Sequence, residues 1–177
     1  MRTPGARYDA RTIALHWISA ALIVLMWCGA HVIDWFPRGP LRVDARSVHI
    51  VTGCLLLAII GYRLIWRITG GVTISTSRGT LDLVAKAGHR LLYAMVMAVL
   101  VLGLFNAWVR GDDLFGLGHI PQYGNLDSPS RHLLANRIVG WHRLASNALL
   151  IVAGGHALVA LYHRLVLRDA VLSRMLP

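Results

Sequence analysis

Four long, predominantly apolar runs, at residues 13–33, 48–68, 91–109 and 138–167, constrain this chain more than any other feature. A hydrocarbon core about 30 Å thick is crossed by about 20 helical residues, and each run is of that length. The remaining residues cannot coat a water-facing globule. Apolar residues make up 56% of the chain and charged ones 15%, with a mean hydropathy of +0.57, against about 45–50% and 25% in soluble domains. The expected fold is therefore all-α integral membrane: a four-transmembrane-helix bundle with helices at about 12–35, 46–68, 83–110 and 135–167. An outer loop is expected at about 110–136 and a Gly/Thr/Ser-rich inner link at 69–81, with one domain over 1–177. Arg2, Arg7 and Arg11 precede the first run, as in a signal peptide, but the run exceeds the usual apolar region of about 7–15 residues. No A-x-A cleavage site follows, so a retained first helix is expected.

The formal charge of +10 comes almost wholly from arginine, and glutamate is absent. The charges sit between the apolar runs and not along one amphipathic face, which argues for loops at a membrane surface and against a nucleic-acid partner. Four spans place both termini on one side. That side carries Arg2, Arg7, Arg11, Arg63, Arg67, Arg78, Lys86, Arg90, Arg164, Arg168 and Arg174. The other carries Arg38, Arg42, Arg46, Arg110, Arg131, Arg137 and Arg143, together with five of the eight aspartates. The basic excess predicts that both termini are cytoplasmic. Cys28 and Cys54 lie within apolar runs and form no CxxC or CxxCH motif, which argues against covalently attached haem or a thiol redox pair.

Nine histidines are present, several of them inside or at the ends of the runs, and an ionisable group within a bilayer points to function. His142 and His156 are 14 residues apart, which on a helix is about 21 Å along the axis and about 40° in azimuth. They look into one bundle interior near opposite membrane faces. By topology His16 is level with His156 on the inner side, and His49 is level with His142 on the outer side. Two imidazoles from facing helices are what a six-coordinate haem iron needs. Depth alone leaves His89 as a rival to His16, and His31 as a rival to His49. His163 lies two turns beyond His156, and His119 and His132 fall in the outer loop. Gly53, Gly140, Gly154 and Gly155 flank the ladder, where small residues permit close approach.

The order and spacing of several short motifs carry a resemblance. They are Leu15-His16-Trp17, His49, Arg63-Leu64-Ile65-Trp66-Arg67 and Gly88-His89-Arg90-Leu91-Leu92-Tyr93, then Phe115-Gly116-Leu117 before Pro121. Trp141-His142-Arg143-Leu144-Ala145-Ser146-Asn147, Gly155-His156-Ala157 and Asp169-Ala170-Val171-Leu172-Ser173-Arg174-Met175 follow. Together they resemble the bacterial cytochrome b561 family of small four-helix di-haem membrane proteins. The resemblance implies two non-covalent haem b groups, one ligated by His16 and His156 toward the cytoplasm, the other by His49 and His142 toward the periplasm, and it demotes His89. It also implies location in the bacterial inner membrane and oxidation of superoxide outside, with electrons passed through the haems to ubiquinone. Arg143 and Tyr162-His163 depart from the usual family residues at their positions.

Arg46, Arg131, Arg137 and Arg143 are candidate contacts for an anion or for the outer haem edge, since a convergent positive field speeds anion capture. His89, His163 and Lys86 are candidates near an inner quinone. The alternatives are a di-haem subunit relaying electrons between quinone and a separate redox partner protein, and a histidine-rich membrane protein handling metal ions without haem.

Overall fold

A computed structural model describes residues 7–72 and 80–177; Arg2, Arg78 and residues 73–79 of the inner link lie outside the described residues. Four long helices dominate: α1 (Ala10–Ile33), α2 (Pro40–Thr69), α3 (Thr80–Arg110) and α4 (Ser128–Leu165). All four are long and apolar enough to cross a membrane. Large apolar side chains point away from the bundle along its length, among them Leu25, Ile65, Ile151 and Leu158. Water would penalise that surface by about 25 cal/mol per Å²; acyl chains would not.

Two helices begin earlier than their apolar runs predict. α2 starts at Pro40 and α4 at Ser128, each with a proline in its first turn, where the missing N–H removes no intrahelical bond. Hydropathy reads only the part of a helix inside the hydrocarbon, and polar residues such as Arg42, Asp44, Arg131 and Asn136 extend both helices beyond it. The outer loop is correspondingly shorter than expected and holds an antiparallel two-stranded ribbon, β1 (Asp113–Leu114) with β2 (Gly118–His119). Its turn has positive φ at Phe115 (57°) and Gly116 (69°). The buried Ser47 Oγ accepts from the Phe115 N–H at 3.0 Å and donates to the Asp113 carbonyl, pinning the ribbon to α2.

Close backbone packing among the described residues runs α1 to α2, α2 to α3 and α3 to α4. The core is built from Leu56 and Ile60 on α2, Val96 and Leu100 on α3, and Leu149 on α4. A second cluster of Val109, Ala135 and Ile138 closes the outer end of the α3–α4 pair. α4 thus lies against α3 and stands off α1 and α2. Side chains cross that seam: Trp27 Nε1 donates to Asn147 Oδ1 at 2.8 Å, and Asp34 pairs with Arg143.

The ends of the bundle are tied by hydrogen bonds. Asp9 caps α1 through the Thr12 N–H and hydroxyl, and accepts from Trp66 Nε1 and the Val72 N–H at the end of α2. The chain after α4 folds back under α1, where Trp17 Nε1 donates to the Met175 carbonyl at 2.6 Å and the Tyr8 N–H to that of Arg174.

Candidate functional site

The seam between α4 and the α1–α2 pair brings the histidines of the ladder together. His16 on α1 faces His156 on α4 with ring centroids 6.5 Å apart, and His49 on α2 faces His142 on α4 at 6.3 Å. All four rings are half-buried. Both pairs draw one member from α4, because the 14-residue spacing returns that helix to nearly the same azimuth. An imidazole nitrogen meets a first-row metal at about 2.0–2.1 Å, so two imidazoles on opposite sides of one ion have centroids about 6.3 Å apart. Both pairs have that separation.

His89 also approaches His156, at 5.3 Å between centroids, shorter than the span of two imidazoles on opposite sides of one ion. Its Nδ1 donates to the Ala85 carbonyl one turn back on α3 at 2.7 Å. Among the described residues no three His, Cys, Asp or Glu side chains converge tightly enough to hold a bare metal ion.

The third helix shapes the outer pair without supplying an imidazole to it. Nδ1 of His142 donates to the Val99 carbonyl at 3.0 Å. One turn later Gly103 lets the ring lie flat on the helix: a Cβ there would meet His142 Cε1 at 3.0 Å. Neither the hydrogen bond at Val99 nor the role of Gly103 is legible from residue spacing along the chain. A glycine alone within an apolar helical run often has a packing reason, and that is the one signal of it in the sequence. Beside His49, an apolar groove of about 460 Å³ opens between α1 and α2, lined by Leu22, Met26, Gly29 and Phe36. A Cβ added at Gly140, Gly154 or Gly155 would meet no protein atom within 4 Å, and one at Gly53 only Met26.

The remaining histidines are placed elsewhere. The His31 ring lies tilted against Trp27, with centroids 4.3 Å apart, and its Nδ1 donates to the Trp27 carbonyl. His119 lies on β2, exposed, and His132 lines an outer cavity of about 370 Å³. At the inner end Nδ1 of His163 donates to Asp169 Oδ2 at 2.6 Å, a bond that holds the Asp169 carboxyl below its ordinary range. Lys86 pairs with Asp82.

Three of the four candidate arginines are already engaged. Arg46 shares Asp112 Oδ1 with Arg110, at 3.1 and 3.0 Å. Arg131 donates to the carbonyls of Val109, Tyr123 and Leu126, which joins the end of α3 to the outer loop. Arg143 pairs with Asp34, which also holds Arg42. Arg137 is exposed, and its side chain bonds none of the described residues. Asp112 is placed by Gly111, whose left-handed φ of 63° ends α3 and turns the chain inward. Burial pushes the Asp112 carboxyl up to about 6 although Arg46 pulls it down.

Residues 7–177 match the family model of prokaryotic cytochrome b561. The chain is 27% identical over 177 residues to a probable superoxide oxidase CybB of Yersinia pestis, covering 97% of this chain and 96% of that one. It is 28% identical to a cytochrome b562 of Cereibacter sphaeroides over 180 residues, 98% of this chain and 96% of the relative. With cytochrome b561 homolog 1 of Escherichia coli it shares 24% identity over 175 residues, 97% of each. A four-span helical bundle with paired imidazoles in its seam, matched nearly end to end, belongs to the prokaryotic cytochrome b561 family of membrane haem b electron-transfer proteins.

Proposed function

We propose that this protein oxidises superoxide at the periplasmic face of the bacterial inner membrane and reduces ubiquinone at the cytoplasmic side, as one cytochrome b561-type unit over residues 1–177 with both termini cytoplasmic. His16 and His156 hold the inner of two haem b groups, and His49 and His142 hold the outer. The observation that carries this reading is the matched separation of the two imidazole pairs, 6.5 and 6.3 Å, at two levels 14 residues apart on α4. The residues fit the group. Each pair spans a seam where the helix backbones stand apart, apolar side chains line the groove beside His49, and the glycines flanking His142 and His156 leave the backbone bare. Each haem, when bound, supplies one-electron iron chemistry.

The chain's own residues hold and orient. The Val99 carbonyl accepts a hydrogen bond from Nδ1–H of His142, which leaves Nε2 with its lone pair free for a metal. Arg137, and the positive field of the outer arginines around it, draw an anion to the outer face. At the inner end, His163 is fixed by Asp169 through Nδ1, and His163, His89 and Lys86 are the candidate groups for an inner quinone. Two superoxide ions lose one electron each and become dioxygen; ubiquinone takes both electrons and two protons and becomes ubiquinol.

Superoxide-driven ubiquinone reduction by the purified protein, followed with haem reduction in stopped flow, tests the reading. Haem reduction no faster than spontaneous superoxide disproportionation overturns it. A second reading, a di-haem subunit that relays electrons between quinone and a separate redox partner, draws support from the outer arginines. Arg46, Arg131 and Arg143 are already bonded within the protein, and this leaves a weaker anion funnel than their number suggests. Absence of haem bands from a redox difference spectrum would sink both and leave a metal-handling role.

A further inference from the structure

Arg63 follows His49 on α2 by 14 residues, the spacing that separates His142 from His156 on α4. α2 therefore presents an imidazole at the outer pair and a guanidinium at the inner one. Nη2 of Arg63 donates to Nδ1 of His16 at 2.8 Å. The guanidinium carbon lies 5.5 Å from the centroid of the Tyr93 ring, and that of Arg67, one turn on, lies at 5.9 Å. The Arg63 side chain is half-buried within a membrane span, and no carboxylate pairs with it among the described residues.

A guanidinium only donates hydrogen bonds and stays charged. Nδ1 of His16 must therefore accept, and a neutral imidazole that accepts at Nδ1 carries its proton on Nε2. An iron ligand through Nε2 needs the opposite arrangement, with the proton on Nδ1 and an acceptor beside it, as Val99 provides for His142. Arg63 cannot be that acceptor. Ligation at His16 removes its hydrogen bond and leaves a cation in a bilayer span, which requires an anion. A haem brings two carboxylates on its propionate arms. We propose that Arg63, seated beside Arg67 on the face of Tyr93, turns from His16 to the propionates of the inner haem and is the positioning residue that anchors it and sets its potential. The proposal rests on His16 and His156 being the inner ligands.

The test uses the full-length protein purified with its haems, as wild type, R63Q, R63K and H16A. Haem transfer to excess apomyoglobin reads retention, and potentiometric titration reads the two midpoints. In R63Q one haem leaves on the order of ten- to a hundredfold faster, the weight of a charge-assisted hydrogen bond. Its midpoint falls, because removal of a cation disfavours the more negative reduced form, while the outer midpoint stays unchanged. R63K, with the charge but without the planar fork, loses that haem more slowly than R63Q and faster than wild type, and its midpoint stays near that of wild type. Wild-type retention and midpoints in R63Q, or wild-type haem retention in R63K should R63Q not accumulate, overturn the proposal. If H16A keeps both haems, the ligand assignment itself fails. If H16A loses one while the Arg63 variants match wild type, only the role of Arg63 fails.

Discussion

Nδ1 of His142 donates to the carbonyl oxygen of Val99 across 3.0 Å, so the third helix fixes the tautomer of an imidazole on the fourth. The carbonyl can only accept, and the proton therefore sits on Nδ1. Gly103, one turn along the same helix, supplies the flat surface on which the ring rests. Gly103→Ala places a Cβ 3.0 Å from His142 Cε1, and overpacking of this kind costs about 1–3 kcal/mol. The expected outcome is loss or spectral change of the outer haem with the inner one retained. Haem content and the α-band of the variant check it; wild-type values in both would show that the ring has another seat.

His142→Ala and His156→Ala should each remove one haem and leave the other. His89→Ala should keep both, since the 5.3 Å between His89 and His156 is shorter than the span of two imidazoles on opposite sides of one iron. Pyridine haemochrome assays of haem per chain decide this, and full content in either ligand variant would refute the pairing.

Asp9 joins the start of α1 to the end of α2. Burial alone would raise its pKa, but the hydrogen bonds from Thr12, Val72 and Trp66 outweigh it and lower the carboxyl from 3.8 to about 2. A depressed carboxyl stabilises the fold above its unfolded value, and that contribution is lost as pH falls from about 4 through about 2. Asp9→Ala should lower stability at neutral pH by about 1 kcal/mol, the usual weight of an N-cap, and by less near pH 2. Thermal unfolding in detergent at both pH values reads the difference; an equal loss at both would remove the charge from the explanation.

Asp112 has the opposite sign. Burial raises its carboxyl from 3.8 to about 6, against the pull of Arg46. Between those values the folded state holds a proton that the unfolded state has released, so this group's contribution to stability declines as pH rises from about 4 to about 6. Asp112→Asn should remove that part of the slope in the apparent unfolding midpoint. A slope unchanged in the variant assigns it to another group.

Arg137 and Arg131 should separate capture from architecture. Arg137→Gln removes an exposed charge that bonds none of the described residues, and should slow superoxide-driven haem reduction with a weakened dependence on salt. Arg131→Gln removes donors to three carbonyls, and should lower the unfolding midpoint instead. Identical rates and salt dependence in Arg137→Gln would favour the relay reading.

The sequence by itself determined the four spans, because a bilayer demands about 20 apolar residues per helix and penalises nearly every exception. It also determined which histidines share a depth, since the helical rise is fixed. Helix ends beyond the hydrocarbon escaped it: Pro40 and Ser128 begin their helices among polar residues that hydropathy does not register. Only the tertiary structure decided what each ring and charge touches. Residue spacing along a helix cannot say that α4 stands off α1 and α2, that His89 lies nearer to His156 than His16 does, or that Gly103 and Val99 seat His142. The same holds for the arginines. Four of them are candidates for a convergent positive field, yet Asp112, Asp34 and the carbonyls of Val109, Tyr123 and Leu126 bind Arg46, Arg143 and Arg131. Charge is a property of composition, whereas its availability depends on partners that the chain brings together from distant positions.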